Sequence, residues 1–178
     1  MILDDLIANI NSILNRITIS KLNAYAYTQN QLHLVNVSND QNYQRTFNGF
    51  YRVRLPITAA YATYYALIEQ NKNNQNPSLQ LILDTLFNAT GRVETSFGSK
   101  LLATVNPNVA PLDSVVLGHL GLRLPTSSGQ SSNARILQCV NVHNNLVMCM
   151  NTLITLPQFQ TLRSQFQNRF PGYHFTDV

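Results

Sequence analysis

The stretch SLQLILDTLFNATGRVETSFGSKLLATVNPNVAPLDSVVLGHLGL, residues 78–122, decides how this chain reads. Pro77 closes the polar run NKNNQNP, so a helix starts near Ser78. Leu79, Ile82, Leu83, Leu86 and Phe87 then recur at helical spacing, and Gly91 stands where a left-handed residue ends a helix. VETSFGSKLLATV predicts a second helix, stopped by Asn106-Pro107. The chain next turns through Pro107 and Pro111 and enters a third helix near Asp113.

The same periodicity extends outward. LDDLIANINSILNR (3–16) is apolar at Leu3, Leu6, Ile7, Ile10, Ile13 and Leu14, with acids in the first turn where the helix dipole favours them. Pro56 suits the first turn of a helix that continues through ITAAYATYYALIEQ. Residues 134–155 form an apolar segment, and LPQFQTLRSQFQNRF (156–170) carries Phe159, Leu162, Phe166 and Phe170 on one face. Residues 17–48 are the ambiguous part. Ala24–Tyr27 and Leu32–Val37 contain strand-forming residues interrupted by Asn and Gln, which reads as a loop or a short hairpin. PTSSGQSSN (125–133) reads as a flexible loop, and the closing PGYHFTDV carries no helix signal. The expectation is a mainly α chain, one helical domain over 1–178 with its centre at about 79–122.

Composition narrows the classes. At 178 residues and 44% hydrophobic, the chain has enough apolar side chains to bury a core. No apolar run reaches the roughly 18 residues of a membrane span. Asp4 and Asp5 stand where a secretory signal would carry Lys or Arg, so a cytoplasmic, reduced setting is expected. Only 11% of residues are charged, against the roughly 25% usual for soluble domains. Asn and Gln fill the surface instead. The net charge of +4 permits contact with phosphates without demanding it. Three of the twelve basic residues are Lys, so Lys100 inside a motif stands out.

Standard catalytic signatures are missing. There is no Walker loop, dinucleotide fingerprint, zinc-protease motif or nucleophile elbow. The histidines at 33, 119, 143 and 174 lack metal-ligand spacing, and Cys139 and Cys149 read as core thiols. No metal or cofactor is expected. Tyr61, Tyr64 and Tyr65 could stack on bases, but that spacing more often seals a helix interface. The informative run is 90–122, where Gly98-Ser99-Lys100 is expected to open one helix and Pro111-Leu112-Asp113-Ser114-Val115-Val116 the next. A tight turn ahead of a helix start can cradle a phosphate on backbone N–H groups.

These two elements resemble the core of the helix-hairpin-helix DNA glycosylase superfamily, particularly its 8-oxoguanine branch. In that family a hairpin precedes Gly-x-Lys, and Pro-(Val/Ile/Leu)-Asp-x-x-Val follows. Here the hairpin reads Gly91 to Phe97, and Lys100 and Asp113 are thirteen residues apart, closer than is usual in the family. The resemblance implies a glycosylase/lyase that removes a damaged base from double-stranded DNA. Lys100 would be the Schiff-base nucleophile and Asp113 its assisting carboxylate. It also implies a DNA-facing surface of Phe97, Gly98 and Ser99, flanked by Arg92, Arg123 and Arg135. Two other classes stay open at this level: a non-catalytic DNA-binding module, and a helical partner-binding protein. Asp113 also reads as an ordinary helix cap, and Lys100 as a surface lysine covering apolar neighbours.

Overall fold

The computed structural model describes residues 2–126 and 129–176, and the described residues contain ten helices and no strand. They are α1 (Ile2–Ala8), α2 (Ile10–Arg16), α3 (Ile19–Gln31), α4 (Gln41–Tyr51), α5 (Thr58–Asn71), α6 (Leu79–Thr90), α7 (Thr95–Val105), α8 (Ser114–His119), α9 (Ser132–Ile154) and α10 (Pro157–Arg169). The mainly α expectation holds. Ser127 and Ser128, inside the expected flexible loop, lie outside the described residues.

The centre of the molecule follows the reading of 78–122 closely. Ser78 caps α6 by accepting from the Leu81 N–H at 3.4 Å. Gly91 ends α6 at φ 69°, a left-handed conformation that costs glycine little. The α6 stripe of Leu79, Ile82, Leu83 and Leu86 is buried, and α5, α7 and α9 pack around it. The same core holds Tyr43, Phe47, Tyr64 and Tyr65, all fully buried. Two of these three tyrosines place their hydroxyls on carbonyls, Tyr64 donating to Phe97 O at 3.0 Å and Tyr65 to Gln44 O at 3.0 Å, whereas the buried Tyr43 hydroxyl has no partner among the described residues. A second cluster of Ala110, Leu112, Leu117 and Leu146 seats the α7–α8 connection on α9.

Three local readings need correction. Residues 17–48 are largely helical, forming α3 and most of α4, with no hairpin. Thr18 caps α3 and Asp40 caps α4, the latter accepting from the Tyr43 N–H at 2.7 Å. Burial of Leu22, Thr28, Tyr43 and Phe47 then outweighs local strand preference. Apart from Ile17 and Thr18, the irregular part is 32–40, where Glu69 accepts from Val37 N at 2.8 Å and Lys72 donates to Val35 O at 2.9 Å. The first helix divides at Asn9 into α1 and α2. Pro56 precedes α5, whose N-cap is Ile57, instead of lying inside its first turn.

Candidate functional site

The site is built on α7, α8 and the connection between them. Asn106 ends α7 and the chain doubles back, so that the Leu112 N–H reaches the Ser99 hydroxyl at 2.9 Å. Ser99 in turn donates to Ser96 O at 3.1 Å. One residue further along each strand of this contact come Lys100 and Asp113. Farther along α9, the buried His143 donates from Nε2 to Ala110 O at 3.2 Å, holding the same connection from its other side. Burial pushes the His143 imidazole below its ordinary pKa, against the opposing effect of the Ala110 carbonyl.

Lys100 is half-buried. Its amine donates to Tyr51 O at 2.9 Å and lies 5.4 Å from the centroid of the Phe97 ring. Tyr51 is the last residue of α4, and Arg52 beyond it turns left-handed at φ 52°. The lysine therefore satisfies a carbonyl at a helix end that has lost its helical partner. Burial holds the Lys100 pKa below the ordinary lysine value, while Asp113 is near enough to pull it back upward. Asp113 is exposed, and its Oδ1 accepts from the Val115 and Val116 N–H groups at 2.9 and 3.3 Å. It is the N-cap of α8 as well as the electrostatic neighbour of Lys100.

The expected DNA-facing residues separate. α7 opens at Thr95 with Glu94 as its N-cap, so Gly98, Ser99 and Lys100 lie inside the helix and not at its start. Gly98 is buried, its N–H donates to Glu94 O at 2.8 Å, and a Cβ there would meet Leu83 Cδ2 at 2.6 Å. Ser99 is fully buried. Neither residue can face a phosphate: Gly98 permits close packing of α7 on α6, and Ser99 ties two segments together. Phe97 is half-buried in the core, its carbonyl occupied by Tyr64. Arg92 and Arg135 do converge. They line a crevice of about 470 Å³ with Gly91, Glu94, Gln130 and Ser132. Burial raises the Glu94 pKa, opposed by the two arginines. Arg123 is exposed on the segment after α8 and lies outside this crevice.

Three further cavities surround the C-terminal segment, sharing Tyr25 and Phe175, and neither Lys100 nor Asp113 lines any of the four. Tyr51, Glu94 and His143 were not anticipated as parts of the site. For Tyr51 no sequence signal exists, since it contributes a main-chain oxygen 49 residues from Lys100. Among the described residues, no group of three or more His, Cys, Asp or Glu could hold a metal, and no helix is long and apolar enough to cross a membrane. Cys139 is buried, with its thiol 3.2 Å from Thr95 Oγ1, whereas Cys149 is partly exposed and not a core thiol. Comparisons with protein-family models, curated proteins and solved structures find no match to this chain.

Proposed function

We propose that the chain is a divergent, helix-hairpin-helix-like DNA glycosylase/lyase in which Lys100 is the nucleophile and Asp113 its assisting carboxylate. One observation carries this reading: a partly desolvated lysine amine lies within electrostatic reach of a carboxylate fixed at the start of α8. An amine attacks only in its unprotonated form, and burial of Lys100 favours that form. A target nucleotide must leave the duplex before its sugar can be reached. The free amine then attacks C1′, the bond from C1′ to the base breaks, and the base departs with the electron pair and takes up a proton. The attached nitrogen then gives up both its protons, one of them to the ring oxygen as the bond from C1′ to that oxygen breaks, and an imine is left. The Asp113 carboxylate opposes the positive charge that develops on the sugar. In this scheme the amine must release Tyr51 O before it reacts. The crevice between Arg92 and Arg135 supplies the cationic contact with the DNA backbone, together with Arg123.

Borohydride trapping on duplex DNA containing an abasic site tests the chemistry. The wild-type chain should form a covalent adduct, Lys100→Gln should form none, and Asp113→Asn should form it slowly while still binding DNA. Arg92→Gln with Arg123→Gln should weaken binding to all duplex sequences and flatten its dependence on salt. A second reading rests on the bond from Lys100 to Tyr51 O, in which the lysine is a strut and the chain binds DNA without cutting the glycosidic bond. Salt-dependent binding with no adduct from the wild type selects that reading, and absence of binding removes both.

A further inference from the structure

We propose that Ser99 is a positioning residue whose buried hydroxyl, by accepting the Leu112 N–H, sets the distance between Lys100 and Asp113. The inference rests on the proposed pairing of those two residues, but its central test does not require that the chain act on DNA.

Ser99 is fully buried, so no ligand reaches its hydroxyl. Both of its hydrogen-bonding directions are used within the protein. It donates to Ser96 O at 3.1 Å, on its own helix, and accepts from Leu112 N at 2.9 Å, across a thirteen-residue connection. The first bond fixes the rotamer, and the second uses that fixed oxygen as an anchor. Lys100 follows the anchor on α7 and Asp113 follows its partner on the way into α8. A slip at this contact moves the Asp113 carboxylate relative to the amine, because both are one residue from the pinned atoms. The Leu112 side chain is buried beside Ala110, Leu117 and Leu146, and His143 binds Ala110 O, which hold the connection to α9 but leave its register against α7 unset. The hydrogen bond removes that freedom, since directional bonds fix geometry where apolar contact does not.

The experiment follows Lys100 itself. Reductive methylation with ¹³C-formaldehyde labels the three lysines, and the signal lost in Lys100→Gln assigns Lys100. Its titration is then compared in the wild type, Asp113→Asn, Ser99→Ala and the double variant. Asp113 raises the Lys100 pKa, so Asp113→Asn should lower it. Ser99→Ala should lower it as well, and the double variant should fall no further than Asp113→Asn alone. Amide exchange at Leu112 in the unmodified chain gives a measurement that holds even if Ser99→Ala does not fold. That amide should be protected like the buried amides of α7, and about tenfold less so where Ser99→Ala does fold. Normal Lys100 titration in a folded Ser99→Ala, or free exchange of Leu112 in the wild type, overturns the proposal. So does an Asp113→Asn variant that leaves Lys100 unmoved, which also removes the support for the proposed chemistry. If the titrations behave as expected but the wild type traps no adduct, the glycosylase reading fails and the positioning role of Ser99 stands.

Discussion

Gly98→Ala sets two opposed effects against each other at one atom. Inside a helix, alanine is favoured over glycine by about 0.5–1 kcal/mol, so local propensity alone makes the substitution stabilising. The added Cβ, however, would stand 2.6 Å from Leu83 Cδ2 and 3.4 Å from Ile82 Cγ2. Leu83 is fully buried among Ile82, Leu86 and Leu101, so its methyl group has little room to rotate away. Overpacking of this kind costs about 1–3 kcal/mol. With the middle of each range, about 2 kcal/mol of overpacking less about 0.75 of propensity, the net expectation is a loss of about 1.2 kcal/mol. For a chain of this size that lowers Tm by roughly 2–5 °C. Thermal unfolding followed by far-UV circular dichroism measures it, with Gly118→Ala as the control. Gly118 lies in α8 with nothing within 4 Å of its would-be Cβ, so alanine there should gain about 0.5–1 kcal/mol. Combining Gly98→Ala with Leu83→Ala should cost less than the sum of the two changes, because the second empties the space the first needs. A Gly98→Ala chain as stable as the wild type would refute the close-packing argument. Reduced DNA affinity at unchanged stability would return Gly98 to a contact surface.

The His143 imidazole is held below its ordinary pKa, so the unfolded chain binds its proton first as pH falls through about 6.5 and below. Stability should therefore drop over that interval, and His143→Leu, though less stable at pH 7.5, should show a flatter dependence of Tm on pH. Asp113→Ala should cost about 1 kcal/mol through loss of the α8 cap, most of which Asp113→Ser should restore, as urea unfolding would reveal. At Gly91, with φ 69° and open space around its Cβ, alanine should destabilise through backbone conformation alone, by about 1 kcal/mol in the same assay.

How much of this architecture was legible in the sequence depended on the distance over which each signal acts. The apolar stripe of α6, the stop at Asn106-Pro107 and the cap at Asp113 are local devices, and the structure carries all three where the residues place them. α3 and α4 were obscured because their helical state is decided by burial of Thr28, Tyr43 and Phe47 against other helices, which local propensity does not register. Gly98 and Ser99 show the same limit within the candidate site. A glycine and serine before a lysine suggest a surface turn, but their partners are Leu83 on α6 and the Leu112 amide. The arginine crevice was partly legible, since Arg92 and Arg135 were both expected to flank the site, whereas Glu94 between them was not.

The tyrosines of the core have an optical consequence. The chain contains eight tyrosines and no tryptophan, so its near-ultraviolet absorption and emission belong chiefly to tyrosine. Burial raises the hydroxyl pKa of Tyr43, Tyr64 and Tyr65 above the ordinary value and pushes that of Tyr51 up to about 12. Phenolate absorbs at longer wavelength than phenol, so these rings should stay silent through the early part of an alkaline titration. Because the unfolded chain releases those protons more readily, alkali itself pulls the fold apart. The silent fraction should then appear in one cooperative step. Tyr64 donates to the Phe97 carbonyl of α7, so its emission also registers any loosening of the helix that carries Lys100.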